Sequence, residues 1–136
     1  MIVDAKNAVV GRLASNIAKR LLSGDKIIII NAEQAIFTGD PAKTKERYFE
    51  KRSRGSPFHG PFFPKRPDLI VRRIIRGMMP YKKPSGRKAM KCLRIYSGHP
   101  HQFEGKKIML IEDANRQIRT KYITVGDLAK SIGWNN

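Results

Sequence analysis

The stretch GRLASNIAKRLLSGDKIIIIN, residues 11–31, predicts an amphipathic helix followed by a buried strand. With 100° between successive residues, the apolar side chains of 11–24 fall on one side of the helix and the polar ones on the other. Gly24 stands where a glycine commonly ends a helix. The four isoleucines at 27–30 are typical of a strand that is covered on both faces.

The flanking segments extend this pattern to an α/β fold. Residues 1–4 are a predicted strand, so strand, helix and strand make a βαβ unit, whose crossover is expected to be right-handed. Another short strand is predicted at 35–37. It is followed by a predicted helix at 40–51, with Asp40 as its N-cap and Pro41 as its first residue.

A second amphipathic helix is predicted at 68–79, with Asp68 as its N-cap. Its Ile, Val and Met residues fill one arc of the helical wheel. Arg72, Arg73 and Arg76 fall within about 100° of each other on the opposite arc. We therefore expect these three arginines to lie on the helix surface that faces away from the core.

The downstream segments complete the predicted secondary structure. Residues 80–86 form a basic turn with Pro and Gly, 87–92 one or two helical turns, and 93–98 a strand. Residues 122–134 begin as a strand and continue as a short helix. The 136 residues are sized for one domain. Within it we expect a core over about 1–98 and a short C-terminal extension over about 99–136.

The segment RSRGSPFHGPFFPKRP, residues 52–67, has neither helical nor strand periodicity. It contains four Pro, two Gly and three Phe, and four Arg or Lys residues surround His59. A loop of this length inside a compact domain is usually functional or disordered. Its aromatic rings can stack on bases or on neighbouring protein, and its charges favour phosphate. We name residues 52–66 the basic arm.

The charge balance indicates a polyanionic partner. The chain has 28 Lys and Arg against 11 Asp and Glu, a net charge of +17. Residues 43–91, the basic segment, hold 16 of these cations and three acids, so 13 of the 17 net charges lie there. Nucleic acid is the leading candidate and an acidic membrane surface the next. The longest apolar run, 27–30, is far shorter than a membrane-spanning helix requires.

Motifs for other chemistry are incomplete. Gly11 is a single glycine where a dinucleotide-binding turn needs three, and GDPAKT at 39–44 lacks the second glycine of a phosphate-binding loop. Cys92, His99 and His101 are too few for a structural zinc site, which needs four ligands. The single cysteine precludes an internal disulfide and suits a reducing compartment. We expect no cofactor, no metal and no catalytic residue.

Three segments resemble one known family. VDAKNAVVGRLASNIAKRL, residues 3–21, resembles the opening of the universal large-subunit ribosomal protein thirteen family. IRGMMPYKKPSGRKAMKCLRIYSG, residues 75–98, resembles its signature, and IFTGD, residues 36–40, is also similar. The 52–80 region and the LAKSIGW ending resemble the archaeal and eukaryotic branch of the family.

This resemblance implies a three-layer α/β/α domain with a four-stranded, mainly parallel central sheet. It also implies a cytoplasmic, non-catalytic constituent of the large ribosomal subunit that binds large-subunit ribosomal RNA and neighbouring ribosomal proteins. No membrane and no small-molecule substrate is implied. The residues that we expect at the RNA are Arg12, Lys51, Arg52, Arg54, His59, Lys65, Arg66, Arg72, Arg73, Arg76, Lys82, Lys83, Arg87, Lys88 and Lys91.

Fold and charge do not name the RNA, so other functions stay open at this point. One is a non-ribosomal RNA-binding or regulatory module on the same scaffold. Another is a basic α/β enzyme that acts on nucleic acid. A membrane-surface protein ranks last, because the apolar faces of both main helices are needed for the core.

Overall fold

A four-stranded parallel sheet lies at the centre of the computed structural model, which describes residues 1–56, 58, 60, 63–115 and 117–135. In chain order the elements are β1 (Ile2–Asp4), α1 (Val10–Leu22), β2 (Ile27–Ile30), β3 (Ile36–Thr38), α2 (Pro41–Ser53), α3 (Pro67–Gly77), α4 (Pro84–Met90), β4 (Leu93–Ile95), β5 (Ile108–Met109), β6 (Tyr122–Thr124) and α5 (Val125–Ser131). Short 3-10 helices span Ala32–Gln34 and His101–Phe103.

The order of strands in the central sheet is β4-β2-β1-β5, with every neighbouring pair parallel. The predicted βαβ unit is β1–α1–β2, in which Ile2 pairs with Ile28. The predicted strand at 35–37 lies elsewhere. As β3 it pairs antiparallel with β6 in a separate two-stranded sheet, where Ile36 pairs with Thr124.

The two faces of the central sheet are covered unequally. One face presents Val3, Ile27 and Ile29 to the main core, which also contains the buried sides of α1, α3 and α5. The alternate residues of the strands form a smaller cluster on the other face, where Ile30 packs with Phe103 of the second 3-10 helix. The predicted α/β class with a four-stranded parallel sheet is thus confirmed, and its second covering layer is thin.

The local signals at helix ends differ in how well they predicted the structure. Asp40 is the N-cap of α2, and its Oδ1 accepts a hydrogen bond from the Ala42 amide at 3.0 Å. The predicted N-cap Asp68 is wrong. The helix begins one residue earlier, at Pro67, because proline is preorganised for the first helical position. Asp68 instead lies in the first turn and accepts from Arg66 at 3.0 Å.

The turn predicted over 80–86 is shorter than expected, because Pro84 begins α4. Gly86 is buried in this helix, and a Cβ at this position would overlap the carbonyl group of Pro80. Only glycine therefore allows α4 to pack against the turn before it.

Residues after 98 take part in the same architecture. β5 adds the edge strand next to β1, with Ile2 opposite Ile108, although more than a hundred residues separate them. α5 buries Val125 and Leu128 in the main core. The segment expected as an extension thus contributes one strand to the central sheet and one helix to the core.

Candidate nucleic-acid interface

The three arginines of α3 differ in their surroundings. Arg72 is partly buried, and its guanidinium donates from Nη1 to Leu93 O at 3.2 Å and from Nη2 to Met90 O at 3.3 Å. These two bonds tie α3 to the end of α4 and to β4. Arg72 is therefore not the simply solvated residue that the helical wheel suggests.

The other two arginines of α3 lie over aromatic rings. The guanidinium carbon of the partly buried Arg73 is 5.0 Å from the ring centroid of Phe63. That of the exposed Arg76 is 4.8 Å from the ring centroid of Tyr81. A ring face attracts and orients a guanidinium without removing its charge. Arg76 is thus placed by a neighbour that leaves it cationic.

The turn after α3 and the helix α4 carry the densest group of exposed cations. Arg87 donates from Nε to Tyr81 O at 3.2 Å and from Nη2 to Lys82 O at 3.1 Å, so it holds the turn closed. The exposed lysines of this region have no side-chain partner among the described residues. They are Lys82, Lys83, Lys88 and Lys91.

The end of α2 meets the base of the basic arm through an aromatic cluster. Tyr48 packs edge-on against Phe63, with 5.4 Å between ring centroids, and Phe37 lies 5.5 Å from Tyr48. Lys51 Nζ lies 4.8 Å from the Tyr48 centroid and 5.6 Å from that of Phe63. Arg52 donates from Nη1 to Phe63 O at 3.1 Å. Residues at both ends of the arm are therefore bound to each other.

The pKa shifts in this cluster follow from burial and from like charges. Burial lowers the pKa of Lys51, and the nearby cations Arg47 and Arg54 lower it further. Burial raises the pKa of the Tyr48 phenol, an effect that Arg47 partly opposes. Lys51 therefore lies among like charges, although Glu50 is also near, 4.0 Å from Arg54.

The arm itself forms a small hairpin among its described residues. The amides and carbonyls of Ser56 and Gly60 exchange two hydrogen bonds, of 3.1 and 2.9 Å. Phe58, between them, is 87% exposed. This ring is therefore not part of the core. The predicted site residue His59 lies outside the described residues.

The remaining predicted site residues are exposed and weakly paired. Arg54 lies 4.0 Å from Glu50 on the surface, and Arg66 lies 3.0 Å from Asp68. Surface pairs of this kind contribute roughly 0–1 kcal/mol. Lys65 is exposed. Arg12 lies elsewhere on the molecule, where it donates to Asp113 O at 3.4 Å.

Sequence reasoning missed two cations that the structure places beside the predicted RNA-binding residues of α2, α3 and α4. Arg47 lies over Tyr48, with 5.6 Å to the ring centroid. Arg94 is exposed on β4 between the inward-facing Leu93 and the partly buried Ile95. The alternation of apolar and basic residues in this strand was the signal for an outward-facing Arg94.

In the part of the chain that the structure describes, no three His, Cys, Asp or Glu residues are grouped so that they could hold a metal ion. The helices in the same ranges are too short or too polar to cross a membrane. The Cys92 thiol is partly buried, with Sγ 3.8 Å from Lys88 O.

Comparison with known proteins assigns the family. A family model described as Ribosomal protein L13 matches residues 1–102. The chain is 46% identical over 137 residues to the large ribosomal subunit protein uL13 of Methanopyrus kandleri, covering 98% of this chain and 86% of that protein. It is 46% identical to the protein of the same name from Methanosarcina barkeri, with 97% and 96% covered. It is 47% identical to the protein of the same name from Methanococcus maripaludis, with 98% of this chain and 97% of that protein covered. The chain therefore belongs to the ribosomal protein L13 family, in its archaeal type.

Proposed function

We propose that this protein is a structural, non-catalytic constituent of the large ribosomal subunit in the cytoplasm. It binds and stabilises folded large-subunit ribosomal RNA, and through this supports subunit assembly and translation. Its partners are the RNA and neighbouring large-subunit proteins. The membership in the ribosomal protein L13 family and the uL13 relatives support this role.

One structural observation carries the mechanism. Arginines of α3, of α4 and at the end of α2 are held by backbone carbonyls and aromatic rings, as Arg72, Arg87 and Arg76 illustrate. These partners orient a guanidinium and leave its positive charge uncompensated. A guanidinium fork matches phosphate geometry and can also stack on bases, so an oriented, uncompensated arginine suits folded RNA.

The proposed contact residues are those predicted from the sequence. The basic arm would contribute the exposed Phe58 besides its cations, either to a base or to a neighbouring protein. The full set is Arg12, Lys51, Arg52, Arg54, His59, Lys65, Arg66, Arg72, Arg73, Arg76, Lys82, Lys83, Arg87, Lys88 and Lys91.

Binding to transcribed large-subunit ribosomal RNA, titrated over a range of salt concentrations, tests this function. If about eight phosphates are neutralised, log affinity falls against log salt with a slope of roughly −6 to −7. A slope near −1 would contradict the electrostatic mechanism. The native protein should also remain with the large subunit through a high-salt gradient, whereas a regulator or an enzyme would be released.

A pair of charge-reversal variants localises the interface. Lys82→Glu with Lys83→Glu changes two exposed residues in the basic turn. Lys107→Glu with Lys121→Glu makes the same change in net charge at two exposed residues outside the basic segment. We expect the first pair to weaken binding much more than the second. Equal losses would mean that the net charge of the protein, rather than the position of the basic turn, governs binding.

A further inference from the structure

A groove separates α3 from the outer edge of β4. Its volume is about 520 Å³, within the range of roughly 300–1,000 Å³ that is usual for small-molecule sites. One wall is the first half of α3 and the other is β4 with its flanking residues. The lining residues are Asp68, Leu69, Arg72, Lys91, Leu93, Arg94, Ile95 and Tyr96.

The hydrogen bonds of β4 leave backbone groups at this groove. The Ile27 amide donates to Cys92 O at 3.0 Å, and the Tyr96 amide donates to Ile29 O at 2.8 Å. In a parallel pair of strands, the residues of β4 that alternate with these hydrogen-bonded residues direct their N–H and C=O groups away from β2. Those of Leu93 and Ile95 therefore face the open edge of the sheet.

Arg72 changes what this edge can bind. Its Nη1 already donates to Leu93 O at 3.2 Å, so that carbonyl is occupied. An added β-strand needs hydrogen-bonding groups on successive alternate residues, and only Ile95 keeps both its N–H and its C=O available. The edge is therefore too short for a docked peptide strand. It offers one adjacent donor and acceptor, which is what the edge of a single nucleic-acid base requires.

The charges at the mouth of the groove favour an anion. Lys91 and Arg94 are exposed, and neither side chain has a hydrogen-bond or ion-pair partner within the described ranges. The acid in the lining, Asp68, is paired through Oδ2 with Arg66. Its Oδ1 is buried and accepts no hydrogen bond from the described residues.

We propose that this groove binds one unstacked nucleotide of the RNA, an inference that rests on the proposed function. The base edge bonds to the N–H and C=O of Ile95, and the base plane contacts Leu69, which is 37% exposed. Lys91 and Arg94 bind the phosphate.

Amide and methyl NMR spectra of the labelled full-length protein test the proposal. We expect adenosine 5′-monophosphate and a single-stranded hexauridylate to shift the Ile95 amide and the Leu69 methyl signals saturably. A fully paired RNA duplex should leave the Ile95 amide unchanged, and inorganic phosphate, which can bind only Lys91 and Arg94, should leave the Leu69 methyl signals unchanged. A shift of that amide with a hexaglutamate peptide and not with the nucleotides would overturn the proposal in favour of a protein partner.

Two variants control for general charge. Arg94→Glu should abolish the nucleotide-dependent shift of the Ile95 amide, while Lys107→Glu, an exposed lysine away from the groove, should retain it. Unchanged spectra outside β4 would show that both are folded. If the protein binds large-subunit RNA but the Ile95 amide is the same free and bound, the nucleotide site is refuted and the proposed function stands. If no RNA binds, both fail.

Discussion

Replacing Arg72 by alanine separates the structural from the RNA-binding role of α3. The side chain donates two hydrogen bonds, to Leu93 O and Met90 O, at 3.2 and 3.3 Å. A hydrogen bond to a charged group contributes about 1.5–3 kcal/mol. Both bonds are long and the side chain is only partly buried, so we expect Arg72→Ala to cost about 2 kcal/mol in total. For a chain of this size, that lowers Tm by roughly 6–10 °C.

Differential scanning calorimetry measures the Tm of matched variants, and urea unfolding measures their free energy of unfolding. Arg76→Ala is the control, because Arg76 is exposed and has a ring contact with Tyr81 at 4.8 Å. Such a contact is worth about 0.5–1 kcal/mol at an exposed site. Arg72→Lys keeps the charge but lacks the fork that reaches two carbonyls, so it should be nearly as destabilised as Arg72→Ala.

For RNA affinity, compared at equal fraction folded, the order should be reversed. Arg76→Ala should then weaken binding more than Arg72→Ala. Arg76→Ala loses a solvent-facing charge and little stability, whereas the effect of Arg72→Ala includes the displacement of β4. If Arg72→Ala melted at the wild-type temperature, its two hydrogen bonds would contribute nothing and the reasoning would be refuted. Equal destabilisation by both alanine variants would refute it as well.

Three further predictions concern substitutions at Gly86, Cys92 and Phe63. Gly86→Ala should lose about 2–3 kcal/mol in urea unfolding, because its Cβ would overlap backbone, whereas Gly11→Ala, with nothing within 4 Å, should gain up to about 1 kcal/mol. Cys92→Ser should leave RNA affinity unchanged in a filter-binding assay, since the thiol has no assigned chemistry; a loss in the folded variant would contradict this. Phe63→Ala should lower the free energy of unfolding by about 1.5–2.5 kcal/mol, because a half-buried ring loses roughly half the value of a core phenylalanine. Phe58→Ala should not, because its ring is 87% exposed; equal losses would contradict a stabilising contact between Phe63 and Tyr48.

The sequence predicted α1, β2 and the start of α2, because each of them is determined by residues that are close together in the chain. The periodicity of 11–24 and the isoleucines of 27–30 correspond to α1 and β2 within two residues at each end. Gly24, at a φ of +96°, has the left-handed conformation expected of a glycine after a helix. Asp40 caps α2 through its own side chain. Each of these features is decided by residues within a few positions of one another.

Features decided by distant residues were not predictable in the same way. β5 has two residues and no strong periodicity, and its place in the sheet comes from pairing with β1 across the whole chain. The helical wheel placed Arg72 on the surface of α3. It could not show that two carbonyls of α4 and β4 would lie within its reach. The same holds for Phe63, whose partners Tyr48 and Arg73 come from two different helices.

The kind of partner that holds three of the arginines explains how this surface can be both ordered and strongly charged. A carboxylate would orient an arginine equally well, but it would cancel the charge, and RNA binding would first have to break the pair. A carbonyl takes one N–H of the five on a guanidinium and leaves the net charge of +1. Arg72 and Arg87 are held in this way, and Arg76 lies over the Tyr81 ring. Less side-chain entropy is then lost when phosphates arrive, so a larger part of the electrostatic free energy is available for binding.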